Sequence, residues 1–313
     1  MTADVTPGAG GHAAAETLPA AETLPGVTVE HEVRLGPTGR PMPEFPEPGP
    51  VPPHDCARIL AVCNQKGGVG KTTTTINLGA ALAEYGRRVL LVDVDPQGAL
   101  SVGLGINPNT LDLTVHDLVL SSGDIDPHDA VLKTHVEGLD LLPSNIDLSA
   151  AEVLLVNEVG REHSLSRALR PLLKDYDVIL IDCQPSLGLL TVNALTAADG
   201  VVIPLECEYF ALRGVALLLQ TIDKVRDRLN PRLEVAGILA TMHDSRTLHG
   251  KQVLDRVVQA FPEHVFHTVI SRTVRFPETT AAGEPITSYA HNSTGAVAYR
   301  ALAREMLSRS PGR

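Results

Sequence analysis

The sequence has no tryptophan, 3% aromatic residues and only four cysteines among 313 residues. The cysteines form no CxxC pair and follow no charged and then apolar leader, which argues against a secreted protein held together by disulfides. The longest apolar runs, such as residues 177–183, are strand-sized and fall well short of the roughly 20 residues that cross a bilayer. We therefore expect a cytoplasmic protein with reduced thiols and no membrane span.

Basic charge is also scarce. The chain has 26 Lys and Arg against 37 Asp and Glu, and its formal net charge is −11. This balance argues against a protein coated in basic charge, but it does not exclude a local basic patch, because phosphate binding depends on where Lys and Arg stand. At 43% hydrophobic residues, the chain can form one large core or two ordinary ones.

Residues 1–55 differ in composition from the rest of the chain. They contain 11 of the 23 prolines and a tandem AAETLP repeat, with 8 acidic and 2 basic residues. Such a segment has too little apolar surface to offset the entropy lost on ordering, so it predicts an extended, disordered tail. Its Pro41–Pro53 stretch is typical of polyproline II, which suits either a spacer or a peptide ligand. Residues 56–313 have the length of one large α/β domain.

The body alternates short β-branched runs with longer segments of helical character. Near-continuous apolar strands indicate burial on both faces, so the pattern predicts a mostly parallel twisted sheet with helices on both faces. Helices are expected from Lys71 to about Gly86 and from about Arg213 to Leu229. The predicted strands are Ile59–Cys63, Val89–Asp93, Leu139–Leu142, Val178–Asp182, Val201–Pro204, Val235–Met242 and Val265–Ile270.

A glycine-rich loop, residues 64–73, joins the first strand directly to a helix. Glycines without a Cβ let successive backbone N–H groups close around a phosphate at the helix N-terminus. Lys71 would then reach the β- and γ-phosphates, and the Thr72 hydroxyl could ligate Mg²⁺. The strict P-loop pattern is altered, because Gln65 replaces a glycine and an extra lysine, Lys66, stands inside the loop. The predicted phosphate-binding residues are Gly67, Gly68, Val69, Gly70, Lys71, Thr72 and Thr73.

Two aspartates follow the ends of predicted strands. Asp95 lies just past the second strand, at the edge where open α/β sheets bind ligands, and could orient water or magnesium. Asp182 ends an apolar run in the manner of a Walker B carboxylate that holds Mg²⁺ through water. A capping role at the strand end is the plainer alternative for Asp182. The sequence thus predicts an ATP and Mg²⁺ site.

Three motifs, at residues 66–73, 92–98 and 182–188, resemble the deviant Walker A, switch and Walker B motifs of the ParA/Soj family of DNA-segregating ATPases. The resemblance implies a P-loop NTPase fold and an ATP-dependent homodimer in which Lys66 of each subunit reaches the partner's nucleotide. It assigns catalysis to Lys66, Lys71 and Asp95, and Mg²⁺ to Thr72, Asp95 and Asp182. Gly67 would lie at the dimer contact, where a side chain should block closure.

Two later segments, residues 241–248 and 269–278, also resemble ParA sequences. The resemblance implies that Arg246 and Arg275 face non-specific double-stranded DNA, with Lys251 and Arg272 as nearby candidates. Ordinary solvated charges are the plainer alternative for Arg246, Arg275 and Lys251. The family further implies slow ATP hydrolysis stimulated by a ParB-like partner, a location at the nucleoid, and a role in chromosome or plasmid segregation.

Proteins with a phosphate loop of this kind also have other functions, and two of them are alternatives here. A MinD-like membrane-associated positioning ATPase would need a C-terminal amphipathic helix with a basic face, whereas the apolar positions of Ala296–Ser308 suit packing on the domain. A metabolic enzyme of this class is a further alternative. Departures from the family pattern, such as Gln184 and Ser271 where Pro is usual, concern switch geometry and leave the catalytic groups in place.

Overall fold

A computed structural model describes residues 35–51, 54, 56–121, 123–208 and 211–309. These residues all belong to one unit, residues 34–313. The predicted tail lies, for its first 34 residues, outside the described residues. Within the described part, no helix is both long and apolar enough to span a bilayer. All four cysteines are free, and three of them are buried.

Seven strands form one sheet in the order β3-β4-β2-β5-β1-β6-β7. Every pairing is parallel except that of the short edge strand β3 with β4, which the sequence did not predict. The predicted fold class is therefore confirmed. The strands are Arg58–Val62 (β1), Val89–Val94 (β2), Leu132–Lys133 (β3), Leu139–Leu142 (β4), Val178–Cys183 (β5), Gly200–Glu206 (β6) and Glu234–Thr241 (β7).

Helices cover both faces of the sheet, and the two long helices predicted from the sequence are present. The helices are Lys71–Glu84 (α1), Ala99–Gly103 (α2), Val115–Leu120 (α3), Leu148–Leu154 (α4), Ser164–Leu169 (α5), Leu189–Ala197 (α6), Ala211–Arg228 (α7), Leu248–Ala260 (α8), Arg275–Ala282 (α9), Ile286–Tyr289 (α10) and Thr294–Ser308 (α11).

The central strands are buried on both faces because their side chains alternate between two cores. In β1, Leu60 and Val62 belong to one apolar cluster, while Ile59 and Ala61 belong to the other. Helices α1 and α11 supply residues to the first cluster, and α3 to α7 supply residues to the second. This two-sided burial explains the nearly continuous apolar runs of the strands.

The strand predicted at Val265–Ile270 is wrong, and a buried carboxylate explains the difference. Val265 makes a single bridge with Ile238 of β7. Two backbone N–H groups that follow, of His267 and Thr268, donate instead to the Glu305 carboxylate of α11, at 2.7 and 2.9 Å. Glu305 is fully buried, so it takes the hydrogen bonds that a longer ladder with β7 would have used.

Residues 35–51, predicted as part of the disordered tail, lie against the domain without forming a helix or strand. A tight turn is closed by the Gly36 N–H donating to the Arg40 carbonyl at 2.8 Å, and Thr38 is 2% exposed. Further along, the Arg87 guanidinium donates to the Gly49 carbonyl at 3.0 Å. We call residues 35–51 the strap. The Arg40 guanidinium donates to three backbone carbonyls, those of Pro262, Val265 and Phe266.

The strap predicts a stability effect at Arg40. Replacing Arg40 with Ala should lower the free energy of unfolding by about 1–3 kcal/mol, because the partly buried Phe266 carbonyl would lose its charged donor and the Val265 carbonyl would keep that of Arg309 alone. Urea unfolding measures the change. Glu44→Ala, at an exposed strap position, is the matched control and should leave the midpoint unchanged. Equal midpoints for both variants would contradict the anchoring role.

Candidate nucleotide-binding site

The loop between β1 and α1 has the backbone conformation that a phosphate cradle needs. Gly68 has φ 75°, and Gly70, the N-cap of α1, has φ 85°. Both angles lie in the left-handed region, which glycine occupies without strain. No side chain caps the helix, so the first N–H groups of α1 are available to an anion.

Two side chains that the sequence analysis missed hold this loop in place. The Asn64 amide donates to the Pro204 carbonyl at 2.7 Å, and its oxygen accepts from the Lys66 N–H at 3.0 Å. From β7, the Thr241 hydroxyl donates to the Val69 carbonyl at 2.8 Å. Asn64 directly follows the first predicted strand and could have been suspected from its position, whereas Thr241 is 172 residues from its partner.

The two lysines of the loop have different surroundings. Lys71 is 6% exposed, and its ammonium donates to the Lys66 carbonyl at 3.1 Å. The Lys66 ammonium instead lies on two carboxylates, 3.2 Å from Glu206 and 2.6 Å from Glu208. Partial burial lowers the pKa of Lys66, but hydrogen bonds to Glu208 and Glu206 outweigh it, so the pKa is raised. Lys66 is therefore a firmly charged cation held at the rim of the loop.

Asp182 lies at the carboxyl end of β5, fully buried and in contact with the start of α1. Its carboxylate accepts from the Thr72 hydroxyl at 2.6 Å and from the Thr75 hydroxyl at 3.4 Å. Burial, and after it the charge of the neighbouring Asp93 carboxylate, raises the pKa of Asp182 to about 8. Thr72 and Asp182, predicted together from separate motifs, are thus brought into direct contact.

Asp93 is a second buried carboxylate, and the sequence analysis did not assign it a role. The register of β2 and β5 places it beside Asp182. It accepts from the Ser101 hydroxyl at 2.9 Å and from the Asp95 N–H at 3.2 Å. Burial raises the pKa of Asp93 to about 7. An aspartate inside an otherwise apolar strand was the signal that could have identified it.

Asp95 follows β2 at the same edge of the sheet and is only partly buried. Its carboxylate accepts from the Gln97 N–H at 3.0 Å, which fixes the turn after the strand. The site is suited to Mg²⁺, because that ion is usually bound through one or two carboxylates, a hydroxyl and phosphate oxygens. Among the described residues, no cluster of three or more Asp, Glu, His or Cys could hold a metal by itself.

A cavity of about 350 Å³ opens beside the phosphate loop. Gly70 and Thr73 line it on the loop side, and Met242, Arg272 and Phe276 line it from the far side. Its mixed lining of backbone, aromatic and polar groups suits a flat heterocycle. Residues 272–277, from the second of the two segments that resemble ParA, therefore border a cavity next to the predicted phosphate site.

The two basic segments, residues 241–248 and 269–278, carry the predicted DNA-contacting cations and lie side by side at the carboxyl end of β7. A parallel bridge joins His243 to Ser271, and the Arg272 N–H donates to the His243 carbonyl at 3.1 Å. Arg246 lies in the loop before α8, and Arg275 is the first residue of α9. Segments that are distant in sequence are thus neighbours on one surface.

All four predicted DNA-contacting cations are exposed. Three of them are paired with carboxylates: Arg246 with Asp244, Arg275 with Glu278, and Arg272 with Glu206. Lys251, in the first turns of α8, has no ion-pair partner among the described residues. Exposed pairs of this kind contribute little to stability, so these cations can exchange their partners for phosphates.

Comparisons with known proteins agree with this geometry. The family model described as AAA domain matches residues 57–235. An uncharacterized protein of Mycobacterium tuberculosis is 58% identical over 311 residues, covering 99% of this chain and 95% of that protein. The sporulation initiation inhibitor protein Soj of Bacillus subtilis is 49% identical, covering 80% of this chain and 98% of Soj. Chromosome partitioning protein ParA of Caulobacter vibrioides is 47% identical, covering 82% and 96%.

Solved structures give the same fold. A Mycobacterium smegmatis protein described as cobyrinic acid a,c-diamide synthase, with a bound ATP analogue and magnesium, has a TM-score of 0.71 and is 47% identical, covering 82% of this chain and 97% of that one. The cell division ATPase MinD of Pyrococcus furiosus has a TM-score of 0.67 and 28% identity, covering 81% and 100%. The altered phosphate loop, the paired strand-end aspartates and these likenesses together establish that the chain belongs to the ParA/Soj family of P-loop ATPases.

Proposed function

We propose that this chain is an ATP-dependent dimerising switch. In this proposal the ATP-bound dimer binds double-stranded DNA without sequence preference, hydrolyses ATP slowly, and segregates chromosomal or plasmid DNA with a ParB-like partner protein. Residues 56–313 form the ATPase domain, and the protein works in the cytoplasm at the nucleoid. The observation that carries the proposal is the placement of the two basic segments beside the phosphate loop on one edge of the sheet.

ATP and Mg²⁺ are the cofactors that the site favours. The residues from Gly67 to Thr73 would cradle the phosphates, with Lys71 on the β- and γ-phosphates. Thr72 and Asp182 already share a hydrogen bond and would hold Mg²⁺, which supplies charge neutralisation during phosphoryl transfer. Asp95, at the strand end, would position the attacking water and support the ion.

Dimerisation is favoured by the position of Lys66. Its ammonium is bonded to Glu206 and Glu208 rather than held in the phosphate loop, so it is available to a nucleotide arriving with a second subunit. A cation delivered in trans would link dimer formation to ATP and would stabilise charge in the transition state. A Cβ at position 67 would have a single neighbour within 4 Å among the described residues, Pro185 at 3.9 Å, so this part of the chain would tolerate a side chain there.

DNA binding is supported by the shared surface of Arg246, Lys251, Arg272 and Arg275. These side chains would reach phosphates rather than base edges, giving affinity that falls with salt and little sequence preference. Arg272 also lines the cavity beside the phosphate loop. The nucleotide and the DNA would therefore contact the same short segment.

Two other functions stand as alternatives. A MinD-like membrane switch is disfavoured, because the apolar side chains Tyr299, Leu302 and Met306 of α11 are buried in the domain. An amide-forming synthase remains a candidate only through the description of the Mycobacterium smegmatis relative. ATP turnover that rises with DNA and a partner protein, and not with a carboxylic acid substrate, separates the proposed function from a synthase.

Substitution of Lys71 and of Lys66 should have different effects on ATP binding and on ATP hydrolysis. Lys71→Ala should abolish ATP binding, because the phosphates lose their buried cation. Lys66→Ala should keep ATP binding within about threefold while hydrolysis falls about 100-fold or more, as when a cation supplied in trans is removed. Calorimetric ATP titration and phosphate release measure the two effects. Equal loss of ATP binding in both variants would place Lys66 on its own subunit's nucleotide.

Gly67→Val should separate nucleotide binding from dimerisation. The variant should still bind ATP, because it keeps the backbone N–H of residue 67 and the single chain leaves room for a Cβ there, and it should remain a monomer with ATP. Light scattering after size exclusion measures the mass. A Gly67→Val dimer that forms at the wild-type protein concentration would contradict the placement of Gly67 at the subunit contact.

DNA binding should depend on ATP and on the basic surface. Wild type should bind DNA only with ATP, and Arg246→Glu and Arg275→Glu should weaken binding at least about tenfold, with the salt slope reduced by about 1 for each phosphate that is no longer neutralised. Biolayer interferometry across a salt series measures both quantities. Arg228→Glu, the same charge change on α7, is the matched control. Absence of ATP-dependent DNA binding in wild type that binds ATP would overturn the proposed function.

A further inference from the structure

A single side chain of α4 holds both ends of the segment that follows Asp182. The Oε1 atom of Glu152 accepts from the Gln184 side-chain amide at 3.0 Å and from the Leu190 N–H at 3.3 Å. Glu152 precedes these two residues by 32 and 38 positions in the sequence. Donors from the two ends of the segment 184–190 therefore converge on one carboxylate oxygen of another helix.

The contact supplies a cap that α6 lacks in its own sequence. Gly188, the N-cap residue of α6, has no side chain that could accept from the first turn of the helix. Leu190 is the second residue of α6, so its N–H is one of those for which the helix offers no carbonyl. A carboxylate at this end also interacts favourably with the helix dipole. Glu152 therefore fixes the start of α6 from outside the helix.

The carboxylate has room at this place because residue 188 is a glycine. A Cβ at position 188 would lie 2.4 Å from the Glu152 Oε1 atom, a distance at which the two atoms would overlap. The backbone at Gly188 has φ −73° and ψ −173°, an extended conformation that alanine adopts without strain. An alanine at position 188 would therefore displace the Glu152 carboxylate while keeping its own backbone.

The segment that Glu152 holds begins where the pairing of β5 ends. The ladder between β5 and β2 includes Asp182 and stops at Cys183, so Gln184 is the first residue beyond the paired strand. Its hydrogen bond to Glu152 fixes the chain from that point on. Asp182, two residues earlier, bonds to the Thr72 hydroxyl and is the carboxylate proposed to hold Mg²⁺. The course of the chain directly after Asp182 thus depends on Glu152.

We propose that Glu152 is a positioning residue for ATP hydrolysis, which holds the segment 184–190 so that Asp182 and the chain after it keep their place beside the phosphate loop. This inference rests on the proposed function, since it needs a chain that hydrolyses ATP. Among the described residues, both hydrogen bonds of the Glu152 carboxylate go to this segment and none goes to the phosphate loop. Loss of Glu152 should therefore impair turnover more than ATP binding.

Glu152→Ala tests the proposal with two measurements. In the nucleotide-free protein, hydrogen exchange of amides 184–190 should become at least about tenfold faster, because the segment is no longer held. The kcat for ATP hydrolysis should fall at least about tenfold, while the dissociation constant of ATP stays within about threefold of the wild-type value. Glu152→Gln keeps an acceptor oxygen and should restore most of both. Glu158→Ala, at an exposed glutamate whose side chain has no hydrogen bond or ion pair in the described part of the chain, is the matched control and should match wild type.

Gly188→Ala tests the same contact from its other side. Its Cβ would take the place of the Glu152 oxygen, so kcat should fall by a factor similar to that of Glu152→Ala. In the Glu152→Ala background the same substitution should cost little more, because the carboxylate that it displaces is already absent. Thermal melting checks that each variant is folded.

Three results would overturn the inference while leaving the proposed function intact. The first is faster exchange of amides 184–190 in Glu152→Ala with an unchanged kcat, which would make Glu152 a helix cap and nothing more. The second is exchange that does not change at all. The third is a loss of kcat in the double variant equal to the product of the two single losses. A wild-type protein that binds ATP with Mg²⁺ and releases no phosphate would overturn both the inference and the proposed function.

Discussion

Two buried carboxylates, Asp93 and Asp182, are the constraint around which the catalytic edge of the sheet is organised. They lie beside each other on adjacent parallel strands, with no solvent exposure. Like charges in this position are costly in a low-dielectric environment. The Thr72 and Ser101 hydroxyls donate to them. A site built in this way has a strong need for a cation, and the Mg²⁺ that accompanies ATP would supply one beside the phosphate loop.

Two surfaces meet the phosphate loop at this edge: the cavity that Gly70 and Thr73 line, and the segments 241–248 and 269–278 after β7. The Thr241 hydroxyl bonds the end of β7 to Val69. Because the phosphate loop contacts both surfaces, one nucleotide can bias them without a long pathway through the core.

Local patterns were enough to predict the strand, loop and helix of the phosphate site, because the conformation of each of these elements depends on residues that are neighbours in sequence. Asp182 and Thr72 could be paired because parallel strands end at one edge. The roles of Glu206 and Thr241 could not be predicted, because their partners are far away in sequence. The strand expected at 265–270 failed for the same reason: Glu305, from the last helix, accepts from two of its N–H groups, while those of Phe266 and Ile270 still donate to β7. Composition alone also assigned the strap to a disordered tail, since nothing local reveals the contacts of Arg40.

The strap has a consequence for the order in which the chain folds. Arg40 and its partner Phe266 are separated by 226 residues, so Arg40 leaves the ribosome long before its partner, whereas Gly49 of the strap needs to wait only for Arg87. Contacts of such high sequence separation form late. The Arg40 contact is therefore a closing step, which fixes one end of the strap only after residues 262–266 have been made.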